Sequence, residues 1–257
     1  PRAFELKYVQ GLAPAFKAVA LAFGSSIHSA LAAYYQGHLD RQQAPSLDEV
    51  IQAFRDSWEL ESTGPVPLQF GEDDEPEDVV DKAAIMLTVF HLRAAVAEPM
   101  VVEAIELPFE VSIYNPETGE VLDESLVGVF DLVIREDGHR VIVEHKSAAK
   151  AWTQAQLTED QQASGYSLAA QELGWGEVGI RYQVLTKTKR PQLQIENVVR
   201  GPSDEKDFLS TVVGVLQAID LGISFPTRSW ACRSCPYQAP CDRASRPARL
   251  GRVVGVT

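Results

Sequence analysis

The sequence contains few cysteines, few methionines, no long apolar run and fewer basic than acidic residues. No stretch approaches the ~20 consecutive apolar residues of a membrane-spanning helix, so we expect no membrane association. The 23 lysines and arginines face 36 aspartates and glutamates, giving a formal net charge of -13. This charge argues against a general polyanion binder. The chain shows no signal peptide and begins at Pro1 rather than Met, so we expect a cytoplasmic protein whose native start lies upstream.

The charges that are present are unevenly distributed. The segment 71–81, GEDDEPEDVVD, is strongly acidic, whereas the segment 225–257 is rich in arginine and carries a single aspartate. A nuclease is therefore compatible with the negative total. Two interpretations stay open for the basic residues, a DNA path or ordinary solvated surface charge. The residues concerned are Arg228, Arg233, Arg243, Arg246, Arg249 and Arg252 in the tail, together with Lys146, Lys150, Lys187, Lys189 and Arg190.

The length of 257 residues suits one large domain, or one domain with an insertion, and residues 1–99 predict a helical region. The apolar residues of 27–34 recur at helical spacing after Gly24-Ser25-Ser26, where a serine predicts the N-cap. Further helices are predicted over 47–60 and 77–97. His28 lies one position off the apolar stripe, where a histidine taken alone predicts an ordinary core or surface residue.

From residue 100 the pattern changes to that of strands. Residues 101–113 alternate, and the run LVGVFDLVI around Asp131 predicts a central strand covered on both faces. A second run, RVIVEHK, follows Asp137-Gly138, and Asp-Gly between apolar runs is the strongest short-range signal for a two-residue hairpin turn. Folding the hairpin on this dipeptide places Asp131 directly opposite Glu144.

This hairpin would bring two carboxylates and a lysine to one face of the sheet. Opposed like charges destabilise a sheet, and a carboxylate in apolar sequence is costly unless it is paired or bound to a metal. Lys146 shares the face of Glu144, whereas His145 points the other way. Hard oxygen ligands bind Mg²⁺ or Mn²⁺, which activates water, and an ammonium group steadies that water. The pattern predicts a site for phosphodiester hydrolysis, with a buried Asp–Lys–Glu ion-pair cluster as the alternative.

The rest of the region 100–222 completes an α/β pattern. Gln162 and Tyr166 fall one turn apart on the same face of a predicted helix. The remaining elements are a helix over 158–173, strands over 179–186 and 192–199, and a helix over 204–221 capped by Ser203.

All three cysteines fall in the segment 223–257, as Cys232-x2-Cys235-x5-Cys241. An odd number of cysteines in a chain without a signal peptide argues against a disulfide framework. Thiolates at this spacing are soft ligands suited to zinc or an iron–sulfur cluster, although either centre usually takes four ligands. Reduced structural thiols are the alternative interpretation.

Five separated motifs together resemble the PD-(D/E)XK nuclease superfamily. More closely, they resemble its RecB-type branch with an iron–sulfur cluster, which includes the nuclease domains of AddB and the CRISPR-associated RecB-like exonucleases. Each motif is weak alone, but their order and spacing are specific and span most of the chain. The motifs are GSSIH with His28, GVFD with Asp131, VEHK with Glu144 and Lys146, QQASGY with Gln162 and Tyr166, and the segment with Cys232, Cys235 and Cys241.

The resemblance implies a role for each motif residue. Lys146 would position or help deprotonate the attacking water, and Gln162 and Tyr166 would orient the DNA strand or support the lysine. The ligands of Mg²⁺ or Mn²⁺ would be His28, Asp131, Glu144 and the backbone carbonyl of His145.

For the cysteines, the resemblance implies a 4Fe–4S cluster of structural role, with zinc as the alternative. The branch carries a first cysteine far upstream, often just before a Pro-Arg-x-Phe segment. This chain begins with Pro1-Arg2-Ala3-Phe4, so we expect the fourth ligand immediately before Pro1.

The implied fold is α/β, a PD-(D/E)XK restriction-endonuclease-like core in which a mixed central sheet is flanked by helices. The core would span 100–222, with a helical region over 1–99 that contributes His28 and a cysteine-cluster cap with a basic tail over 223–257, all in one integrated nuclease domain.

The implied function is a metal-dependent DNA exonuclease acting on single-stranded or end-exposed DNA in recombination, repair or phage DNA processing. The expected partners are DNA and a helicase, recombination or CRISPR protein. Two alternatives are a CRISPR-adaptation nuclease that trims DNA before integration and a catalytically silent nuclease-like DNA-binding module. The intact Asp131, Glu144 and Lys146 speak against the silent module.

Overall fold

The computed structural model describes residues 1–41, 43–71, 75–94 and 100–244. Within them, helices come first, and a five-stranded sheet flanked by helices follows, which confirms the predicted mixed α/β fold. The elements are α1 (Val19–Arg41), α2 (Leu47–Ser62), α3 (Val79–Ala94), β1 (Val101–Tyr114), β2 (Val121–Glu136), β3 (His139–Ala148), α4 (Gln154–Glu159), α5 (Gln161–Glu172), β4 (Gly179–Thr186), β5 (Leu193–Val198), α6 (Pro202–Asp220) and α7 (Gln238–Ala244). Shorter pieces are a helical turn (Arg2–Phe4), a π-helix (Glu5–Val9), 3-10 turns (Pro76–Asp78 and Trp230–Ser234) and a parallel pair of two-residue strands (Lys17–Ala18 and Leu68–Gln69).

The strands lie in chain order across the sheet, β1-β2-β3-β4-β5. Neighbours pair antiparallel except β3 and β4, which run parallel. A parallel pair needs a crossover connection, which α4 and α5 supply. The carboxyl ends of β3 and β4 therefore meet at one edge, where the backbone N–H of Lys187 donates to the carbonyl of Ala148 at 2.7 Å.

The hairpin between β2 and β3 forms at the predicted turn. Asp137 and Gly138 have φ of 47° and 80°, the left-handed conformation that a type I′ turn requires at both central positions. The strands pair in the predicted register as far as Leu132 and Val143. The ladder ends there, one position before Asp131 and Glu144. Beyond it, the Asp131 side chain accepts a hydrogen bond from the backbone N–H of His145.

Two apolar cores cover the two faces of the sheet. The first core packs α1, α2 and α3 against β2, β3 and β4, with Ile27, Phe54 and Phe90 fully buried. The second core packs α4 and α5 on the opposite face, around Phe130 and Tyr182. Each such side chain contributes about 1.5–3 kcal/mol when it leaves water. The first core fixes α1 on the sheet and so determines where His28 lies.

Local capping explains most of the helix boundaries. Ser46 caps α2 through a capping box with Glu49, as its position before the predicted helix 47–60 indicates. The serines of GSSIH are not a cap, because α1 already begins at Val19 and the buried Ser26 hydroxyl donates to the carbonyl of Ala22. The predicted helix 77–97 is described as far as Ala94, and its last three residues lie outside the described residues.

Two further helix predictions were wrong in detail. The helix predicted over 158–173 is divided at Asp160, whose backbone is extended and whose side chain accepts from the N–H of Gln162. The last helix is capped by Gly201 rather than Ser203, because the Gly201 N–H donates to Asp204 and Pro202 fits the first turn.

The beginning of the chain packs against the segment that carries the cysteines. The Arg2 N–H donates to the carbonyl of Phe225 at 3.2 Å, and the Ala15 N–H donates to that of Pro236 at 3.3 Å. The Ser224 hydroxyl also donates to the carboxylate of Glu5. Among the described residues, no helix combines the length and apolar character needed to cross a membrane.

Candidate active site

The sheet changes its packing at Asp131. Residues two apart in a regular strand face the same side, yet Leu132 packs in the first core and Phe130 in the second. The neighbouring β1 changes in the same way between Ile105, which contacts the first core, and Leu107, which contacts the second. The regular alternation of side chains is therefore interrupted at Asp131. Its side chain contacts both His28 of α1 and the backbone of β3.

Gly128 of the GVFD motif allows β1 and β2 to pack closely beside this position. A Cβ atom at Gly128 would overlap the ring of Phe109. That ring stacks on Phe130 with centroids 4.4 Å apart. A glycine inside a strand often marks such a close approach, and here it supports the residue before Asp131.

Both oxygens of the buried Asp131 have partners. Oδ2 accepts from the backbone N–H of His145 at 2.8 Å, and Oδ1 lies 3.3 Å from Nδ1 of His28. Burial alone would raise the pKa of Asp131, but the hydrogen bond and charge of His28 and the N–H of His145 lower it overall. The carboxylate is therefore held in its ionised form.

His28 is brought to this carboxylate by α1. Burial alone would lower the pKa of His28, but its hydrogen bond to Asp131 and the negative charges of Asp131, Glu144 and Glu106 raise it. Sequence pattern alone predicted an ordinary histidine, whereas the motif resemblance predicted a site residue. The structure places His28 at the site.

Glu144, Lys146, Gln162 and Tyr166 form a closed set of hydrogen bonds between β3 and α5. The Lys146 Nζ donates to Glu144 Oε1 at 2.6 Å and to Gln162 Oε1 at 2.5 Å. The Gln162 Nε2 donates to the Tyr166 hydroxyl at 2.7 Å, and that hydroxyl donates to Glu144 Oε2 at 2.6 Å. Lys146 is thus fixed from two sides, and both oxygens of Glu144 are occupied.

The buried carboxyl of Glu144 resists ionisation. Burial and the negative charge of Asp131 raise its pKa to about 7, although hydrogen bonds from Lys146 and Tyr166 act in the opposite direction. Burial and the charge of Glu144 also raise the pKa of Tyr166, so its hydroxyl stays a donor. The two carboxyls of the hairpin therefore have pKa values displaced in opposite directions, as often found at functional sites.

His145 points to the opposite face, as predicted. Its ring stacks on Tyr35 with centroids 5.7 Å apart and lies 6.2 Å from the ring of His28. Burial lowers the pKa of His145 to about 4, so the ring is neutral. Its Nδ1 is buried without a hydrogen-bond partner among the described residues.

Glu106 on β1 is the site residue that sequence reasoning missed. A carboxylate oxygen of Glu106, one of Asp131 and a ring nitrogen of His28 all lie within 4.8 Å of one another. Much of Glu106 is exposed to solvent. Its carboxyl is partly desolvated, and this desolvation and the charge of Asp131 raise its pKa. The only sequence signal was an acid in the alternating strand VVEAIELPFEV, and many surface strands carry such acids.

A cavity of about 700 Å³ opens in front of these groups. His28, Glu106, His145 and Lys146 line it, together with residues from the first half of α1. Carboxylate oxygens fit a hard divalent cation such as Mg²⁺ or Mn²⁺, whereas imidazole is more often a ligand of zinc, copper, iron or nickel. Of the predicted ligands, His28 and Asp131 are in contact, whereas Glu144 lies outside the group formed with Glu106.

The cysteines lie on the 3-10 turn Trp230–Ser234, just after it, and on α7. All three are half-buried and outside any disulfide, and their sulfur atoms do not form a group within 4.8 Å in the described part of the chain. The sequence supplies only three cysteines. These observations do not support the expected iron–sulfur cluster, and they identify no fourth ligand.

Two of the predicted basic residues, Lys187 and Lys189, lie beyond the carboxyl end of β4. Lys187 and Lys189 line a cavity of about 200 Å³ together with Lys82 of α3. The Nζ of Lys187 lies 4.7 Å from the centroid of the Phe23 ring on α1. Since residues on either side of Phe23 line the larger cavity, the two cavities flank the same part of α1. Arg246, Arg249 and Arg252 of the predicted path lie outside the described residues.

A family profile and one solved structure agree with the observed fold. The family profile described as the PD-(D/E)XK nuclease superfamily matches residues 1–242. A crystal structure from Eubacterium rectale, provisionally described as an exonuclease, superposes with a TM-score of 0.54 and 17% identity over 98% of this chain and 84% of that chain. The crystal structure of SSO0001 matches with a TM-score of 0.36 and 12% identity over 97% of this chain and 96% of that chain. No curated protein sequence is significantly similar to the chain.

Proposed function

The chain belongs to the PD-(D/E)XK nuclease superfamily, and we propose that it is a deoxyribonuclease that hydrolyses phosphodiester bonds of DNA with Mg²⁺ or Mn²⁺. One observation carries the proposal. Lys146 lines the cavity and donates a hydrogen bond to Glu144, and the N–H of His145, the residue between these two, donates to Asp131.

The cation that this site would bind supplies Lewis-acid chemistry and an activated water. Asp131, with His28 and Glu144, would hold it, as the motif resemblance implies. Asp131 suits this role because its partners keep it ionised. Glu144 would exchange its hydrogen bonds for the cation, or accept the proton that the attacking water loses, since a carboxyl with a pKa of about 7 can do either near neutral pH.

Lys146 is the residue that we assign to the attacking water and the developing charge on phosphate. An ammonium group has three donors, and two of those of Lys146 are directed to Glu144 and Gln162. The third is available for a water or phosphate oxygen. Gln162 and Tyr166 would hold the lysine and Glu144 in place rather than perform chemistry. Of the two roles that the motifs implied, this favours support of the lysine over orientation of the DNA strand.

The proposed mode of cleavage is exonucleolytic, and the proposed substrate is single-stranded or end-exposed DNA. Support comes from the RecB-type order of motifs and from the description of the Eubacterium rectale protein as an exonuclease, since that protein shares the fold. Lys187, Lys189 and Lys82 would guide the strand away from the cavity, because a cluster of ammonium groups binds phosphates through charge alone. DNA is the proposed substrate, with a role in repair, recombination or phage DNA processing.

An iron–sulfur or zinc centre on Cys232, Cys235 and Cys241 is the finer proposal for the C-terminal segment. It is supported by the cysteine spacing. The hydrogen bonds from Arg2 to Phe225 and from Ala15 to Pro236 also tie the first residues of the chain to the segment that carries the cysteines. Broad visible absorption of protein purified without oxygen, lost in Cys235→Ser, would support a cluster. Protein without iron or zinc would contradict both centres.

The nuclease proposal is tested with end-labelled single- and double-stranded DNA in Mn²⁺. We expect progressive shortening from an end, stopped by EDTA and absent in Asp131→Asn, which keeps the shape of the side chain. Lys206→Ala, an exposed lysine paired with Glu117 on the surface, is the matched control and should digest DNA at the wild-type rate. Binding of DNA without any cleavage would identify a silent DNA-binding module and contradict the proposal.

A further inference from the structure

We infer that Trp152, held in place by Gln194, is a positioning residue for Lys146. Neither Trp152 nor Gln194 belongs to the motifs by which the chain was interpreted. The inference deepens the proposed function and rests on it, because it concerns how the lysine assigned to the attacking water keeps its position. Trp152 lies between β3 and α4, and Gln194 lies on β5, two strands away from the lysine.

The pairing of the strands places Gln194 on the same face of the sheet as the lysine. Lys146 of β3 and Gln194 of β5 both pair with Val184, on the strand between them. Residues that lie opposite each other on neighbouring strands direct their side chains to the same face. The two side chains therefore belong to one row across the sheet, although 48 positions separate them in the chain.

The side-chain amide of Gln194 binds both backbone groups of Trp152. Its Oε1 accepts from the Trp152 N–H at 2.7 Å, and its Nε2 donates to the Trp152 carbonyl at 2.9 Å and to Glu196 at 3.1 Å. This is the exchange of two hydrogen bonds that a neighbouring strand makes, supplied here by a side chain. The next residue, Thr153, caps α4 through a capping box. The connection from β3 to α4 is therefore fixed relative to the sheet.

The ring of Trp152 consequently lies beside the lysine. Its centroid is 5.4 Å from that of the fully buried ring of Tyr182, the residue that pairs with Glu144. The Lys146 Nζ lies 5.9 Å from the centroid of the Trp152 ring. A cation within about 6 Å of an indole face is attracted by the negative potential of that face. The ring is therefore a third group that holds the ammonium, besides Glu144 and Gln162.

The ring differs from Glu144 in what happens to it during the proposed reaction. Glu144 would exchange its hydrogen bonds for the cation, which removes one partner of the Lys146 ammonium. An aromatic ring is not a ligand of a hard cation, which takes oxygen atoms, so its contact with the ammonium persists at that moment. Trp152 therefore limits the movement of Lys146 while Glu144 changes partners.

The first measurement is steady-state DNA hydrolysis by the full chain in Mn²⁺, with kcat and KM determined for each variant. Trp152→Leu should lower kcat by about three- to thirtyfold, as expected for the loss of one cation–π contact, and should leave KM within about twofold. Trp152→Phe keeps an aromatic face and should retain most of the rate. Gln194→Leu should lower kcat as Trp152→Leu does. The matched control is Gln192→Leu, an exposed glutamine just before β5, which should react as the wild type does.

A double variant shows whether the glutamine acts through the tryptophan. The kcat of Trp152→Leu combined with Gln194→Leu should be no lower than that of Trp152→Leu alone, because changes that remove the same contact are not additive. If the two losses multiply, Gln194 does not act through Trp152 and the inference is overturned.

The second measurement does not depend on catalysis. Acetylation by acetic anhydride, followed at each lysine by mass spectrometry, reports how firmly the Lys146 side chain is held by its neighbours. Relative to the exposed Lys206, Lys146 should react faster in Trp152→Leu and Gln194→Leu than in the wild type. Trp152→Phe should react at the wild-type rate.

Two further results would overturn the inference. Wild-type kcat and wild-type acetylation of Lys146 in both leucine variants would show that neither residue positions the lysine. Equal losses in Trp152→Phe and Trp152→Leu would show that the tryptophan only fills space. Thermal unfolding checks that each variant folds, and if Trp152→Leu does not, Gln194→Leu decides.

The two measurements also separate the inference from the proposed function. If the wild type cleaves no DNA but the acetylation of Lys146 depends on Trp152, the proposed function alone is contradicted. If the wild type cleaves DNA and neither measurement responds to Trp152 or Gln194, the inference alone is contradicted.

Discussion

The hydroxyl of Tyr166 lies 2.6 Å from Oε2 of Glu144, and this contact joins α5 to the strand that carries Lys146. The same hydroxyl lies 2.8 Å from the carbonyl of Val129, one residue before Phe130 in the GVFD segment. A hydroxyl has one proton to donate, and the carboxylate is the stronger acceptor when it is ionised. Tyr166 therefore responds to the charge of Glu144 and contacts both strands of the hairpin.

Removing this hydroxyl should alter the pH dependence of the reaction. In Tyr166→Phe, the pKa of Glu144 should rise further above about 7, because the lost hydrogen bond had lowered it. The acidic limb of the activity profile should move to higher pH, with a stability loss of about 1–2 kcal/mol. Rates at a series of pH values test this, with Tyr114→Phe as the control. An unmoved profile would show that Tyr166 does not act on Glu144.

Loss of the lysine should remove activity without unfolding the protein. Lys146→Ala should lower the rate of DNA hydrolysis by about 10²–10³-fold, the range for losing one group that stabilises developing charge. The circular dichroism spectrum should stay that of the wild type, and Lys206→Ala serves as the comparison. Full activity in folded Lys146→Ala would remove the lysine from the mechanism.

The stability of the metal-free protein should depend on pH through Glu144. Its pKa is raised from an ordinary value of 4.5 to about 7, so the folded state holds this proton more tightly than the unfolded chain. The stabilising contribution is complete below pH 4.5 and is lost as the pH rises through about 7. The free energy of unfolding, measured with urea in EDTA at several pH values, should change less with pH in Glu144→Gln than in the wild type. If the free energy of unfolding changes equally with pH in the wild type and in the variant, the raised pKa of Glu144 is contradicted.

Weakening the basic cavity should weaken DNA binding in a salt-dependent way. Lys189→Ala should lower affinity similarly for unrelated sequences and should reduce the slope of log K against log salt by about 1. Fluorescence anisotropy with labelled single strands at several salt concentrations measures this. If the slope equals that of Lys206→Ala, the strand does not pass this cavity.

The left-handed backbone at Glu106 should cost stability that a glycine restores. Glu106→Gly should raise the free energy of unfolding of the metal-free protein by about 1 kcal/mol, because glycine adopts φ of 47° without strain. Glu110→Gly, in regular strand conformation, should instead lose about 0.5–1 kcal/mol. Denaturant unfolding compares them, and equal losses at both positions would contradict strain at Glu106.

The sequence determined the features that depend on neighbouring residues. Alternation and the Asp137-Gly138 turn predicted the hairpin and its register up to Leu132, because a two-residue turn leaves no freedom in the pairing. Helical spacing likewise predicted that Gln162 and Tyr166 share a face. These relationships need only the period of the element, so the two carboxylates, the lysine and its supports could be found without a tertiary structure.

The tertiary structure alone decided which distant residues meet that hairpin. Extending the register of the Tyr114–Val121 pair along β1 and β2 would misplace Glu106, because a bulge between Ser112 and Tyr114 shifts the pairing. His28 reaches Asp131 because the first core fixes α1 on the sheet. Bulges and helix packing depend on contacts between side chains far apart in the chain, which no local pattern encodes. The hairpin was therefore predictable, and the residues that surround it became visible only in the folded chain.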